Sequence, residues 1–264
     1  MSFIHPSAII EESAIIGSDV SIGPFSYIGS KVIIGNNTTV ASHTVIEGKT
    51  TIGKNNRIFS HATIGTIPQD LKFNGEDVEL IIGDNNTIRE FTLLNPGTEG
   101  GGSITKIGDG NLLMGYVHLG HDVIMGNNCI LANAVTLAGH VELGNNVVIG
   151  GLTPVHQFVH IGNYAMVGGA SALAQDVPPF CLVEGNRATL RGLNLTGLRR
   201  QMERSEINEL KLAYKELFEQ GNPLQEVANS LLETSDSIKV KELCTFIKTS
   251  KRGIAFARNV ENKK

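Results

Sequence analysis

An apolar residue stands at every sixth position through most of this sequence. The series covers residues 4–64, resumes over 82–94, and continues over 107–173 after a slip of one residue. A fixed period of six is typical of a β-helix, in which very short strands wind around a narrow core. The period therefore predicts the fold class and indicates where functional groups can lie.

Each hexad has a regular composition beyond its first residue. The second position is very often glycine, as at Gly17 and Gly23, and the fifth is small or β-branched, as at Ala8 and Val20. We interpret this as a flat strand followed by a corner, with glycine where the chain turns. Three such sides close one coil of 18 residues, and successive coils stack at roughly 4.8 Å. Residues 18 apart should therefore lie directly above one another in a triangular parallel β-helix.

Two segments interrupt the repeat, and the repeat then ends after Pro179. We predict protruding loops at 66–80 and 95–106 on a β-helix of residues 1–186, since loops on a rigid scaffold often carry binding groups. Residues 187–264 should form a connector and a C-terminal helical domain. Capping signals in this domain predict three helices. They run from an N-cap at Ser205 to Gln220, from a first residue at Pro223 to about Glu233, and from about Ser235 to near Gly253.

Composition excludes several classes of function. A net charge of −4 argues against a general nucleic-acid or membrane binder. The apolar stretches are too short to span a membrane, and the N-terminus lacks the features of a signal peptide. Three scattered cysteines suit buried, reduced thiols. We therefore expect a cytoplasmic protein without a stable membrane insertion.

A group of histidines is the clearest candidate site. Because residues 18 apart overlap, His140 should lie over Asp122, and His156 should lie two coils above Gly120, beside His121. Two chemistries fit such a group. One is zinc-dependent hydration, as in the β-helical carbonic anhydrases, although their spacing of histidines is not met. The other, which we favour, is general-base catalysis by an imidazole that a carboxylate orients.

Several blocks closely resemble the UDP-N-acetylglucosamine O-acyltransferases, the family that catalyses the first step of lipid A synthesis. The resemblance spans essentially the whole chain. The blocks are Gly115–Asp122, Cys129–Asn133, Leu137–Val141, Val155–Phe158, Ala174–Pro179, Gln69–Lys72, Gly100–Gly102 and Leu193–Asn194.

The resemblance implies a homotrimer of left-handed β-helices with active sites between neighbouring subunits and no metal or cofactor. An (R)-3-hydroxyacyl group would pass from acyl carrier protein to the 3-position of the UDP-sugar. His121 would be the general base, Asp122 its orienting partner, and the N–H of Gly139 the oxyanion donor. The expected substrate-binding residues are Gln69, Asp70, Lys72, His118, His140, His156, Gln157, Gly169, Asn194 and Arg200.

In the family, the position of Gly169 limits the acyl length. Because Gly169 should lie over Gly151, no side chain would block the cleft, and a long chain is predicted.

Some positions depart from the family pattern. Asn95-Pro96, Arg187 and Thr196 replace residues common in relatives, which leaves open an acceptor with a 3-amino instead of a 3-hydroxyl group. The acidic carrier protein would need a basic patch. Its candidate residues are Arg199, Arg200, Lys211, Lys215, Lys248, Lys251 and Arg252.

Overall fold

The computed structural model describes residues 3–255, which form a left-handed parallel β-helix followed by a helical region. The strands are, in chain order, β1 (Phe3–Ile4), β2 (Ile9–Ile10), β3 (Ile15–Ile16), β4 (Ser21–Ile22), β5 (Tyr27–Ile28), β6 (Ile33–Ile34), β7 (Thr39–Val40), β8 (Val45–Ile46), β9 (Lys49–Ile52), β10 (Arg57–Ile58), β11 (Thr63–Ile64), β12 (Glu79–Ile82), β13 (Thr87–Ile88), β14 (Leu93–Leu94), β15 (Ile104–Ile107), β16 (Leu112–Leu113), β17 (His118–Leu119), β18 (Ile124–Met125), β19 (Ile130–Leu131), β20 (Thr136–Leu137), β21 (Glu142–Leu143), β22 (Val148–Ile149), β23 (Pro154–Val155), β24 (His160–Ile161), β25 (Met166–Val167), β26 (Cys181–Glu184) and β27 (Thr189–Leu193).

Three sheets form the sides of a triangular prism. The first sheet starts at β1 and takes every third strand through β25, with β26 and β27 added at its end; the second runs from β2 to β23 and the third from β3 to β24. Apart from the antiparallel β26–β27 pair, the strands pair in parallel, and Ile4 lies beside Ile22, which lies beside Val40. The predicted 18-residue coil is therefore confirmed. We call the corner between the first and second sheets corner 1, that between the second and third corner 2, and that between the third and first corner 3.

The apolar first residues of the hexads, which we call leaders, fill the interior of the prism. Most strands are two residues long and end on a leader, and the leaders from Ile22 onward are 0–4% exposed. Ile4, in the first coil of the described residues, is 43% exposed because it is covered by a neighbouring coil on one side only. Burial of one such side chain stabilises the fold by about 1.5–3 kcal/mol, so the stacked leaders supply most of the driving force.

With the exception of Gly65 (φ 80°), the glycines at the second position of the hexad do not adopt the left-handed turn conformation. The left-handed conformation falls instead on the fourth position, as at Asp19 (φ 56°) and Asn37 (φ 60°). At Gly23 and Gly35, glycine is required because successive coils approach closely there. A Cβ on Gly35 would lie 2.6 Å from the carbonyl carbon of Gly53, and one on Gly23 would lie 2.8 Å from the backbone nitrogen of Ser42.

Both interruptions of the repeat leave the prism at corner 2. The first loop follows β11 and rejoins the third sheet at β12; the second follows β14, contains a single 3₁₀ turn at Glu99–Gly101, and rejoins at β15. The last residues of both predicted loops, Glu79–Leu80 and 104–106, belong to strands. The two loops are therefore neighbours in space, stacked one coil apart on the same edge of the molecule.

The helical region consists of α1 (Leu195–Leu198), α2 (Arg204–Phe218), α3 (Leu224–Thr234) and α4 (Ile238–Thr249). The predicted cap at Ser205 is wrong. Glu203 is the N-cap, and its side chain and that of Glu206 bond each other's backbone N–H groups. Pro223 precedes α3 as its N-cap and is not its first residue. No helix within residues 3–255 is long and apolar enough to cross a membrane.

The β-helix and the helices are joined by a hairpin and a buried carboxylate. β26 pairs antiparallel with β27, so the predicted boundary at residue 186 falls within a hairpin, and the division into two domains stays a prediction. Asp176 is 1% exposed; its carboxylate accepts hydrogen bonds from the N–H of His160 (2.8 Å) and the hydroxyl of Ser250 (2.6 Å). Cys129, Cys181 and Cys244 are buried and unpaired.

Candidate active site

His121 and Asp122 lie at corner 2, just after β17. Asp122 adopts the left-handed conformation (φ 59°), and its Oδ2 lies 2.8 Å from Nδ1 of His121. The side chains are 17% and 1% exposed, respectively. An ionised carboxylate can only accept hydrogen bonds, so Nδ1 of His121 carries the proton and Nε2 keeps its basic lone pair. Adjacency in the sequence did not predict this contact, which depends on the corner geometry.

His140 lies one coil further along the same corner. Its N–H donates to the carbonyl oxygen of His121 (3.0 Å), and its ring meets that of His121 edge-on, with centroids 4.9 Å apart. Its other face stacks on Phe158 at 4.3 Å. Burial lowers the pKa of His140, and the nearby charges of Asp122 and Asp70 oppose that shift. The predicted stacking of His140 over Asp122 is confirmed, although Nδ1 of His140 is 3.8 Å from Oδ2.

Gly139 lies directly against the imidazole of His121. A Cβ built on Gly139 would lie 2.5 Å from Cε1 and 2.6 Å from Nε2 of that ring. Within residues 3–255, the N–H of Gly139 has no hydrogen-bond acceptor, whereas its carbonyl oxygen accepts from the N–H of Phe158. The glycine therefore leaves both the face of the imidazole and a backbone donor accessible at the same point.

Two further histidines predicted for the site differ in their surroundings. His118 is half-buried, its Nδ1 lies 3.1 Å from the carbonyl oxygen of Leu93, and burial lowers its pKa. His156 and Gln157 are both exposed, and Nδ1 of His156 lies 3.0 Å from the carbonyl oxygen of Gln157. Both positions lie along corner 2 or the strand that leads to it.

The second loop covers Asp122, a feature that sequence reasoning missed. The N–H of Thr98 donates to Oδ1 (2.9 Å) and its hydroxyl to Oδ2 (2.6 Å), and Gly101 packs against the same carboxylate. Thr98 is 24 residues from Asp122 in the chain, and its only signal in the sequence was the glycine-rich segment beside it.

The first loop lies beside the second. Asn95 donates from Nδ2 to the carbonyl oxygens of Thr66 and Ile67, both at 3.1 Å, and so ties the two loops together. The carboxylate of Asp70 accepts from the N–H of Lys72 (3.0 Å), and its charge partly opposes the lowering of the pKa of His140 by burial. Gln69 and Lys72 are exposed on this loop.

The remaining predicted site residues lie elsewhere in the chain. Gly169 is at corner 1, where a Cβ would find its nearest atom 3.5 Å away, on Gly151. Asn194 caps α1 by accepting from the N–H of Gly197 (3.1 Å), and its Nδ2 donates to the carbonyl oxygen of Tyr164 at corner 3 (3.0 Å). Arg200 is exposed. One chain therefore carries the predicted site in three separate parts.

The composition of the group at corner 2 also resembles a metal site. The potential ligand atoms of His121, Asp122 and His140 lie within 4.8 Å of one another. However, both oxygens of Asp122 already accept hydrogen bonds, from Thr98 and from His121. These hydrogen bonds satisfy both carboxylate oxygens without a metal ion. The arrangement therefore favours a general base oriented by a carboxylate over a metal site.

Matches to known proteins point to one family of acyltransferases. The family described as "Udp N-acetylglucosamine O-acyltransferase; Domain 2" matches residues 176–255, and the bacterial transferase hexapeptide family matches 13–48 and 104–139. The acyl-[acyl-carrier-protein]–UDP-N-acetylglucosamine O-acyltransferase of Sulfurovum sp. is 77% identical over 98% of this chain and 99% of its own length. That of Aliarcobacter butzleri is 66% identical over 98% and 100%.

Solved structures support the same assignment. UDP-N-acetylglucosamine acyltransferase from Campylobacter jejuni matches with a TM-score of 0.94 and 50% identity over 97% of this chain and 100% of that one. The Francisella novicida enzyme matches with a TM-score of 0.94 and 38% identity over 97% and 95%. These relatives are acyltransferases, and nothing in them supports a zinc lyase. The chain belongs to the UDP-N-acetylglucosamine O-acyltransferase family.

Proposed function

We propose that this enzyme transfers an (R)-3-hydroxyacyl group from acyl carrier protein to the 3-hydroxyl of UDP-N-acetylglucosamine, with His121 as the general base. The observation that carries the proposal is the bond between Nδ1 of His121 and the buried carboxylate of Asp122 (2.8 Å). This bond directs the basic lone pair of Nε2 away from the core and toward the point where Gly139 leaves space. The names of the relatives supply the two substrates.

The chemical step follows from these groups. Nε2 of His121 accepts the proton of the sugar 3-hydroxyl as its oxygen attacks the thioester carbonyl, and Asp122 stabilises the imidazolium that forms. The N–H of Gly139 donates to the oxyanion of the tetrahedral intermediate. Collapse of the intermediate breaks the carbon–sulfur bond, the carrier thiol leaves with the proton from His121, and the ester remains.

The surrounding predicted residues complete the pocket. His118, His140, His156 and Gln157 would line the sugar and acyl subsites along corner 2, and Gln69, Asp70 and Lys72 would hold the sugar from the first loop. A low pKa keeps His140 and His118 neutral near pH 7, which suits hydrogen bonding to uncharged hydroxyl and amide groups.

We further propose a homotrimer in which each active site is shared between two subunits. The support is the separation described above: His121 lies at corner 2, Gly169 at corner 1, and Asn194 contacts corner 3. One substrate can reach all of these positions only if different chains contribute them. Gly169 of a neighbouring chain would then face the acyl chain, and its Arg200 would reach the diphosphate.

A mixing experiment tests the shared site. His121→Ala and Arg200→Ala should each abolish or strongly reduce turnover, but trimers assembled from an equimolar mixture should regain about a quarter of the wild-type sites. His121→Ala mixed with Asp122→Asn is the matched control, since both changes fall in the same half-site and should not complement. Absence of recovery in the first mixture, with mixed trimers demonstrated, would refute sharing.

The identity of the reaction is tested by its product. Mass spectrometry should show an ester of UDP-N-acetylglucosamine formed from a series of 3-hydroxyacyl carriers. The 3-amino analogue of the sugar, run in parallel, tests the alternative of amide formation. A strong preference for that analogue would show that the acceptor carries a 3-amino group. Substantial turnover by His121→Ala would refute the base assignment.

Docking of the acidic carrier protein is assigned to the helical region. Arg199, Arg204 and Lys211 line a cavity of about 350 Å³ at the start of α2. Arg252, another candidate, donates from Nε to the carbonyl oxygen of Ala174 (3.0 Å) and has a structural partner. Charge reversal at Lys211 should raise the KM for the acyl carrier and leave that for the sugar unchanged. Because the carrier and the nucleotide sugar are water-soluble, we place the reaction in the cytoplasm.

A further inference from the structure

The carboxylate of Asp122 lies near two histidines, and its orientation determines which of them it bonds. Its Oδ2 lies 2.8 Å from Nδ1 of His121 and 3.8 Å from Nδ1 of His140. Only the shorter distance is a hydrogen bond. The two imidazoles meet edge-on with centroids 4.9 Å apart, so a carboxylate turned toward His140 would move away from His121.

The second loop holds the carboxylate in its orientation toward His121. The hydroxyl of Thr98 donates to Oδ2 (2.6 Å), and its N–H donates to Oδ1 (2.9 Å), so one residue holds both oxygens. Thr98 is 6% exposed and Asp122 4% exposed. The hydroxyl must be the donor because an ionised carboxylate can only accept. Hydrogen bonds to a charged, buried acceptor are the strong ones, so these two bonds hold the carboxylate in one orientation.

Two further contacts fix the same group. The N–H of Asp122 donates to the hydroxyl oxygen of Thr105 (2.8 Å), which anchors the backbone of the left-handed corner. Gly101 packs so closely on the carboxylate that any side chain there would overlap it. The carboxylate is thus enclosed by the loop on one side and by His121 on the other.

We propose that Thr98 is a positioning residue that holds the carboxylate of Asp122 in place and directs its Oδ2 to His121 instead of His140. In this way the second loop selects which histidine becomes the base. The proposal rests on the proposed function, in which His121 is that base. Thr98 is nearly buried and its hydroxyl is already bonded to Asp122, so its effect passes through the His–Asp pair.

The test compares Thr98→Val, which removes only the hydroxyl, with Thr98→Ser, which retains it. Thr98→Val should lower kcat about 10- to 100-fold with the KM for the sugar nucleotide nearly unchanged, and Thr98→Ser should stay within about threefold of wild type. Thr44→Val is the matched control, since Thr44 is equally buried in a distant coil and donates only to backbone carbonyls.

A spectroscopic readout separates positioning from mere stability. In histidine-selective ¹⁵N NMR, His121 should be held as the Nδ1–H tautomer in wild type and in Thr98→Ser, and should lose that preference in Thr98→Val. Wild-type kcat in Thr98→Val, or an unchanged His121 tautomer, would overturn the proposal. If Thr98→Val does not fold, Gly101→Ala displaces the same carboxylate by overlap, and wild-type kcat there would overturn it equally.

Failure of the proposed function is distinguishable from failure of this inference. His121→Ala tests the base directly, whereas the tautomer of His121 in Thr98→Val reports the orientation of the pair without reference to turnover. An active His121→Ala enzyme would refute the base assignment, and an unperturbed tautomer would refute the role of Thr98.

Discussion

Substitution of Gly139 by alanine should disable the enzyme without unfolding it. The new methyl carbon would lie 2.5 Å from Cε1 and 2.6 Å from Nε2 of His121, whereas an ordinary contact is about 3.5 Å or more. The imidazole must therefore retreat by about 1 Å. A displacement of that size can lengthen the 2.8 Å bond to Asp122 beyond hydrogen-bonding distance. Misplacement of a reacting group by about 1 Å costs roughly 100-fold in rate, or about 2.7 kcal/mol in the barrier.

The fold should tolerate this change because the nearest atoms to the methyl group all belong to the His121 side chain, which is 17% exposed and can swing outward. Gly139 also has no left-handed φ that alanine would strain. We expect kcat to fall about 100-fold in a steady-state assay with the acyl carrier donor, while the Tm changes little. Gly100→Ala is the control, since a Cβ there meets nothing within 4 Å. A Gly139→Ala enzyme with nearly wild-type kcat would refute the reasoning.

Three other predictions concern stability and specificity. Burial lowers the pKa of His118 and His140 from 6.5, so the unfolded chain binds protons more tightly, and the free energy of unfolding should decrease as the pH falls below about 6.5. Denaturant titrations should show a smaller decrease for His118→Gln, and an equal one would contradict the assignment. Asp176→Asn weakens the bonds that anchor the helices and should lower the free energy of unfolding by about 2 kcal/mol; an unchanged midpoint would count against the anchor. Gly169→Met has room to fold, since a Cβ there meets Gly151 at 3.5 Å, and should shift preference toward shorter acyl donors; unchanged selectivity would exclude Gly169 from the acyl pocket.

The repeat was readable in the sequence because each hexad encodes its own strand and corner. The 18-residue spacing therefore placed His140 over Asp122 correctly. The role of the hexad glycines was misread, since the close approach of the next coil is invisible within a single hexad. The N-cap at Ser205 was misplaced because Glu203 and Glu206 form a reciprocal pair of bonds that outweighs the usual preference for serine.

The sequence by itself determined the scaffold, the 18-residue register and the corner at which the histidines gather, because these follow from a local pattern that repeats along the chain. Only the tertiary structure decided how the group works. The contact of His121 with Asp122 depends on a left-handed corner. The hydrogen bonds from Thr98 to Asp122 come from a loop 24 residues away, and the conformation of that loop does not follow from the repeat. The role of Gly139 likewise depends on the tertiary structure, since the residue packs against the imidazole of His121 in the preceding coil.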